Sequence, residues 1–111
     1  MAQITPRTLS RVARYLLSAD PMMQVSYLLI FADIAQREDV LVRDLVKRTA
    51  MSQSAIARAV GILGDTPLRG SKKGLGWVKA MPDPDDSRRQ FLNLTDAGRK
   101  VMADLEDMGD N

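Results

Sequence analysis

Residues 77 to 94 restrict the possible folds of this chain more than any other stretch, because they have the pattern of one short hairpin. The apolar runs WVKAM and QFLNL are typical of two strands, and they flank a polar tip, PDPDDSRR, that is acidic and then basic. Thr95 follows and caps a helical pattern that extends to Met108. The other patterned segments are helical, so we predict a mainly α-helical protein with a small β-hairpin, an α+β fold.

Two helix-start signals, Thr5-Pro6 and Asp20-Pro21, place a capping side chain before a proline at a first helical position. They predict N-terminal helices within residues 5 to 37. The apolar residues of the first helix share one face and are Leu9, Val12, Ala13, Leu16 and Leu17. The second helix is apolar on most sides, which favours a place in the core or in a dimer interface. Its residues in register are Val25, Leu28, Leu29, Ala32 and Ala35.

Residues 41 to 64 have the pattern of a helix-turn-helix. The two helical segments, VRDLVKRTA and MSQSAIARAVGILGD, are joined by about three residues, a spacing typical of this motif. Ser52 can cap the second helix, and Ile56, Val60 and Leu63 form its predicted buried stripe. The residues predicted to point away from that stripe are Gln53, Ser54, Ala57, Arg58 and Gly61.

Residues 65 to 75 form a predicted basic loop that contains glycine, proline and the cations Arg69, Lys72 and Lys73. The loop fits neither of the glycine-rich nucleotide-binding patterns. It is either a phosphate-binding loop or a spacer, and the sequence leaves these alternatives open.

Composition excludes several classes of function. The chain has no cysteine and no histidine, which excludes thiol nucleophiles, zinc sites of the usual type and a Ser-His-Asp triad. A carboxylate-bound metal stays open, but no spacing of carboxylates indicates one, so we expect no enzyme activity, no cofactor and no metal site. Aromatic residues make up 5%, which argues against a base-stacking platform for single strands. The length of 111 residues favours a single domain, 1 to 111. We expect a cytoplasmic protein, because neither a secretory signal nor a membrane-spanning stretch is apparent.

Charge is unevenly distributed. Residues 43 to 89 hold ten Lys and Arg against five Asp, a net charge of +5, whereas the remainder of the chain carries −3. A polyanion is therefore a candidate partner of the middle segment, and a solvated charged face is the alternative.

The side chains predicted to point outward from the helix over residues 52 to 63 are suited to close approach to DNA. Gln53 can pair with adenine and Arg58 with guanine in the major groove, although a plain surface helix has the same pattern. At the hairpin tip, a carboxylate two residues before Arg88 can hold its guanidinium in one direction, as insertion into a minor groove would require. A polar turn with Arg88 as counter-ion is the alternative.

The segments MSQSAIARAVGIL and GWVKAMPDPDDSRRQFLNLTDAGRKVMADL, taken in order and spacing, resemble the winged helix-turn-helix of MarR-type transcriptional regulators. The resemblance implies a wing over residues 76 to 94 and a C-terminal helix over 95 to 108. It also implies a recognition helix that contacts the major groove through Ser52, Gln53, Ser54 and Arg58. Asp86 would orient Arg88 at the minor groove. Arg89, Arg69, Lys72 and Lys73 are further predicted DNA contacts.

Members of this family are two-fold dimers that bind palindromic double-stranded DNA, so the resemblance implies a homodimer. The chain departs from the pattern through the basic loop and through the lack of a second C-terminal dimerisation helix. A small-molecule effector is not expected in so short a chain but stays open. Two other functions stay open as well: a winged-helix protein-interaction module with a protein partner, and a non-specific DNA-binding accessory factor for replication or packaging.

Overall fold

The structure, a computed structural model, describes residues 4–65 and 74–109. Within these residues, five helices and an antiparallel hairpin follow one another in the predicted order. They are α1 (Pro6–Ala19), α2 (Val25–Ala35), α3 (Val42–Thr49), α4 (Gln53–Leu63), β1 (Val78–Asp83), β2 (Asp86–Leu94) and α5 (Asp96–Glu106). The fold is therefore α+β, as the sequence predicts.

Three helices begin at the side-chain caps that the sequence predicts. The Thr5 hydroxyl oxygen accepts a hydrogen bond from the backbone N–H of Thr8, and Ser52 accepts one from Ala55 at 3.1 Å. Thr95 accepts one from the N–H of Gly98 at 3.0 Å. Each cap satisfies a backbone donor that the first helical turn leaves without a partner.

The Asp20-Pro21 signal predicts a helix start, but the structure has a turn at this point. The Asp20 carboxylate accepts a hydrogen bond from the backbone N–H of Met22 at 2.8 Å, and α2 begins only at Val25. The prediction was wrong because an aspartate can bond to the backbone two residues on and close a turn instead of capping a helix.

The core lies between α2, α4 and the hairpin. Fully buried side chains come from each of these elements and from α3, and they include Phe31, Ile34, Leu45, Ile56, Leu63, Val78 and Leu92. The rings of Phe31 and Trp77 meet at a centroid distance of 5.2 Å, which joins α2 to the start of the hairpin.

Three predicted apolar faces are only partly buried. In α2 the buried face contains Tyr27, Ile30 and Ile34, whereas Val25 and Leu29 are exposed. A helix apolar on most sides does not define one stripe, so packing decides which side is covered. The predicted apolar faces of α1 and α4 are also only partly buried. In α1, Leu16 is buried but Leu9 and Leu17 are exposed.

In α4, Ile56 and Leu63 are buried and Val60 is half-buried. Gly61, predicted to point outward, is buried instead. The reason is the return of the chain after the loop: an added Cβ at Gly74 would lie 2.6 Å from the Gly61 carbonyl oxygen, so the two backbones are in close contact.

The hairpin is irregular at its tip. Val78 pairs with Leu94 and the register continues to Pro82 opposite Gln90, but Asp83 then pairs with Asp86. Residues 87 to 89 of β2 therefore have no partner residue on β1, which makes a bulge. Pro82 has no N–H to donate and stands where the regular pairing ends.

The base of the hairpin is tied to the end of α4. The N–H of Asp65 donates to the Val78 carbonyl at 2.9 Å, and the N–H of Trp77 donates to the Leu63 carbonyl at 2.8 Å. Gly76 has a φ of +80°, a backbone region that glycine adopts without strain. On the other edge of β2, Val40 and Leu92 exchange two backbone hydrogen bonds.

Candidate nucleic-acid interface

The start of α4 presents short polar side chains to solvent. Ser52, Gln53, Ser54 and Arg58 are all exposed. The Ser52 hydroxyl is occupied by capping and lies 3.2 Å from that of Ser54. Gln53 and Arg58 have no polar partner among the described residues, so both side chains are available to an external ligand.

The turn before α4 has the predicted length of three residues, 50 to 52. Ala50 ends α3 in the left-handed region with a φ of 58°, and its N–H donates to the Val46 carbonyl. This conformation is uncommon for a residue with a Cβ, and it redirects the chain between the two helices.

The tip of the hairpin holds Arg88 against Asp86. The Arg88 Nε donates to Asp86 Oδ1 at 3.1 Å, and the Arg88 backbone N–H donates to the same oxygen at 3.0 Å. The hydrogen bond from the Arg88 side chain is the main reason that the pKa of Asp86 lies below its usual range, and the backbone hydrogen bond adds to it. The Arg88 side chain is 88% exposed, so it is oriented without being covered.

Arg89 has a different environment from its neighbour. Its guanidinium donates to Asp83 Oδ2 at 2.7 Å, and the Asp83 side chain is only 3% exposed. Asp83 also accepts a hydrogen bond from the backbone N–H of Asp85. The sequence predicts Arg89 as a DNA contact and assigns Asp83 no role beyond the turn. The structure shows that Asp83 draws Arg89 toward the hairpin, so Arg89 projects less than Arg88.

Two concavities border the start of α4. One, of about 180 Å³, lies between the start of α3, the start of α4 and the hairpin, and its lining includes Arg43, Gln53, Arg88, Arg89 and Gln90. We call it the wing cleft. The other, of about 340 Å³, lies beside the beginning of α2 and includes Ser54 and Arg58. Gln53, Arg88 and Arg89 thus line one concavity, and Ser54 and Arg58 line the other.

Two cations of α3 are not singled out by the sequence, and one of them, Arg43, lines the wing cleft. Arg43 and Lys47 are exposed, lie four residues apart on one face of α3 and have no ion pair or hydrogen bond among the described residues. Arg48 differs, because its guanidinium donates to both carboxylate oxygens of Asp33 in α2, at 2.8 to 3.1 Å. The sequence signal for Arg43 was its place in the basic middle segment, which does not separate it from Arg48.

Three predicted DNA contacts, Arg69, Lys72 and Lys73, lie outside the described residues. Within the described ranges, there is no cluster of three or more side chains suited to hold a metal ion. No helix of residues 4–65 and 74–109 is both long enough and apolar enough for a membrane span.

The sequence matches no protein-family model. It also matches no curated protein sequence. The fold, by contrast, resembles several solved structures. One is a mutant MarR from E. coli complexed with operator DNA, with a TM-score of 0.65, 18% identity, and coverage of 91% of this chain and 67% of that chain.

Another is the PcaV transcriptional regulator from Streptomyces coelicolor in complex with its natural ligand. The TM-score is 0.62 and the identity is 24%, with 97% of this chain and 77% of that chain covered. A third is Bordetella bronchiseptica BpsR, whose DNA binding is regulated by 6-hydroxynicotinic acid. Its TM-score is 0.61 and its identity is 18%, with 92% of this chain and 68% of that chain covered. At these identities the likeness concerns the fold. The chain has the winged helix-turn-helix fold of MarR-type transcriptional regulators.

Proposed function

We propose that this protein binds double-stranded DNA in a sequence-specific manner and regulates transcription. In this proposal α4 is the recognition helix and contacts bases in the major groove. The hairpin is the wing, and its Arg88 contacts the minor groove. The likeness of the fold to a MarR structure with bound operator DNA supports the proposal.

The observation that carries the proposal is the wing cleft. Gln53 at the start of α4 and Arg88 on the wing border the same concavity, although 35 positions separate them in the chain. A helix that reads bases and a wing arginine can act on one duplex only if they share a face of the protein. Exposed glutamine and arginine are also side chains suited to base edges and to the narrow minor groove.

Selection of bound duplexes from a random pool tests the proposal. We expect an enriched motif, because Gln53 and Arg58 would discriminate bases. Gln53→Ala or Arg58→Ala should relax the preference at individual positions by about 1–3 kcal/mol per lost base contact, whereas Arg88→Ala should weaken binding to most sequences.

Two other outcomes would replace the proposal. Binding that is strongly salt-dependent but without an enriched motif would indicate a non-specific accessory factor. If the protein binds no duplex and instead forms a stoichiometric complex with a protein, the fold serves as an interaction module.

The proposal also includes a cytoplasmic location for the protein.

We also propose that the protein acts as a homodimer and binds a palindromic site. The support comes from α1, where Leu9, Ala13 and Leu17 recur at i, i+4 and i+8 and are exposed. Leu9 is 57% exposed and Leu17 is 48% exposed. An exposed apolar stripe of this kind is typical of a protein–protein contact, and a second copy of the chain presents the same stripe.

A further inference from the structure

We infer that the wing cleft binds one phosphate of the DNA backbone and that Arg43 is the main side chain that contacts this phosphate. This inference rests on the proposed function, but it assigns a site and a residue that the proposed base and minor-groove contacts do not include. The ligand class is a phosphodiester of duplex DNA.

The position of the cleft is the first reason. One of its walls is the start of α4, the proposed major-groove element, and another is the wing, the proposed minor-groove element. In duplex DNA the major and minor grooves are separated by a sugar–phosphate strand. A concavity between an element in one groove and an element in the next therefore faces that strand and not a base edge.

The chemistry of the lining is the second reason. Three arginines, Arg43, Arg88 and Arg89, line a space of about 180 Å³. Arg88 pairs with Asp86, and Arg89 pairs with Asp83 and also lies 3.8 Å from an Asp86 carboxylate oxygen. Arg43 has no carboxylate partner among the described residues, so its donors can be given entirely to an incoming anion.

The fork of donors in a guanidinium matches the oxygens of a phosphate and can bind it in a bidentate manner. Gln90, which also lines the cleft, can add a neutral hydrogen bond to the same strand. A backbone contact at this point carries no sequence information by itself, but it fixes the distance between the base contacts of α4 and the wing in the adjacent groove.

A scan of single neutral linkages tests the site. A duplex carrying the selected motif is prepared with one methylphosphonate at each position in turn, and its affinity is measured by fluorescence anisotropy. We expect one linkage in each half-site at which the neutral group weakens the wild-type protein roughly tenfold, because a charge-assisted hydrogen bond is lost. For the Arg43→Ala variant, a methylphosphonate at that linkage should not weaken the affinity further.

Salt dependence gives a second measurement. Arg43→Ala should bind all duplexes roughly tenfold more weakly, with a slope of log K against log salt reduced by about 1 for each bound protomer. Arg43→Lys retains the charge and should keep the slope while binding more weakly than the wild type, since it lacks the bidentate fork.

Arg14→Ala is the matched control, because it removes an exposed arginine from α1 that is also without a polar partner among the described residues. If Arg43→Ala is no weaker than Arg14→Ala while the wild type binds duplex DNA, the phosphate site is wrong and the proposed function stands. If Arg43→Ala changes the preferred bases, Arg43 is a base contact instead. If the wild type binds no duplex, the proposed function fails as well.

Discussion

Two arginines that are adjacent in the chain are held at different depths by two carboxylates of the wing tip. Asp86 lies beside the exposed Arg88, and the buried Asp83 binds Arg89. The bulge at residues 87 to 89 makes this division possible, because those residues are not aligned with β1. We therefore assign the carboxylates to positioning, and the acidic tip is compatible with a polyanionic partner.

Asp86→Asn tests this assignment. We expect the affinity for duplex DNA to fall about 3- to 10-fold, because the Arg88 guanidinium loses a charge-assisted hydrogen bond and samples more orientations. The midpoint of thermal unfolding should stay unchanged, since the pair is exposed. The control is Asp96→Asn, which breaks the exposed Asp96–Arg99 pair on α5. Equal losses in both variants would contradict a specific role for Asp86.

The pH dependence follows from the lowered pKa of Asp86. A carboxyl with a lowered pKa in the folded protein is ionised at neutral pH, and its pairing with Arg88 is lost only as pH falls through that lowered value. The chain has no histidine, so no side chain of the site is expected to change charge between about pH 6 and 8. Affinity measured at constant ionic strength should therefore be flat over this interval, and a titration near pH 6.5 would contradict this expectation.

At the scale of the elements, the contact between α5 and the start of the wing sets the position of the hairpin. The Thr95 hydroxyl donates to the Gly76 carbonyl at 2.6 Å, and the Thr95 N–H donates to the Trp77 carbonyl at 3.0 Å. Gly98 packs directly on Trp77, and an added Cβ would clash with the Trp77 carbonyl oxygen. Glycine is required here by close approach of two backbones.

Gly98→Ala should therefore lower the free energy of unfolding by about 1–3 kcal/mol, the usual cost of overpacking. The sign is informative, because glycine to alanine inside a helix normally stabilises a protein by up to about 1 kcal/mol. Urea unfolding monitored by circular dichroism measures the change. The exposed neighbour Ala97, changed to serine, provides the control and should shift the value by less than about 0.5 kcal/mol. A stabilised Gly98→Ala would mean that α5 and Trp77 are further apart.

Local signals in the sequence were sufficient for the elements themselves. The caps at Thr5, Ser52 and Thr95 depend on residues three positions away, so their patterns predict them directly. The start of α2 was predicted wrongly at Asp20-Pro21, because Asp20 can close a turn as readily as it caps a helix. Which side of an apolar helix is buried depends on its tertiary neighbours, and periodicity does not contain that information.

For the whole molecule, the exposed stripe of α1 is an apolar surface that the described chain leaves uncovered. We expect the wild-type protein to have the mass of a dimer in size-exclusion chromatography with light scattering. Leu9→Glu with Leu17→Glu should give a monomer, since two buried carboxylates would face the partner without compensation. Helix content by circular dichroism should remain, because both side chains are already exposed.

The control for the dimer is Arg7→Glu with Arg14→Glu. These exposed residues lie seven positions apart on the side of α1 away from Leu9 and add acidic groups without entering the stripe. A wild-type monomer, or loss of the dimer in both double variants, would contradict the proposed interface.

The candidate site was predictable only in part. Sequence spacing alone indicated the Asp86–Arg88 contact, since two residues on a tip are always close. The ion pair of Asp83 and Arg89 depends on the bulge, and the place of Arg43 in the wing cleft depends on the packing of α3 beside the wing. Both depend on tertiary structure. In the sequence, Arg43, Lys47 and Arg48 are equivalent cations, and only the position of Asp33 in space separates Arg48 from the other two.

The closed base of the hairpin has a consequence for the length of the chain. Asp65 is bonded to Val78, and Leu75 is bonded to Ile62 at 2.8 Å, so the chain leaves α4 and returns to it at nearly one place. Because these bonds join α4 directly to the base of the hairpin, the distance between α4 and the hairpin should not change with the number of residues between Asp65 and Leu75. This junction is therefore a suitable place to graft a fluorophore-binding peptide or an affinity tag while α4 and the hairpin keep their spacing.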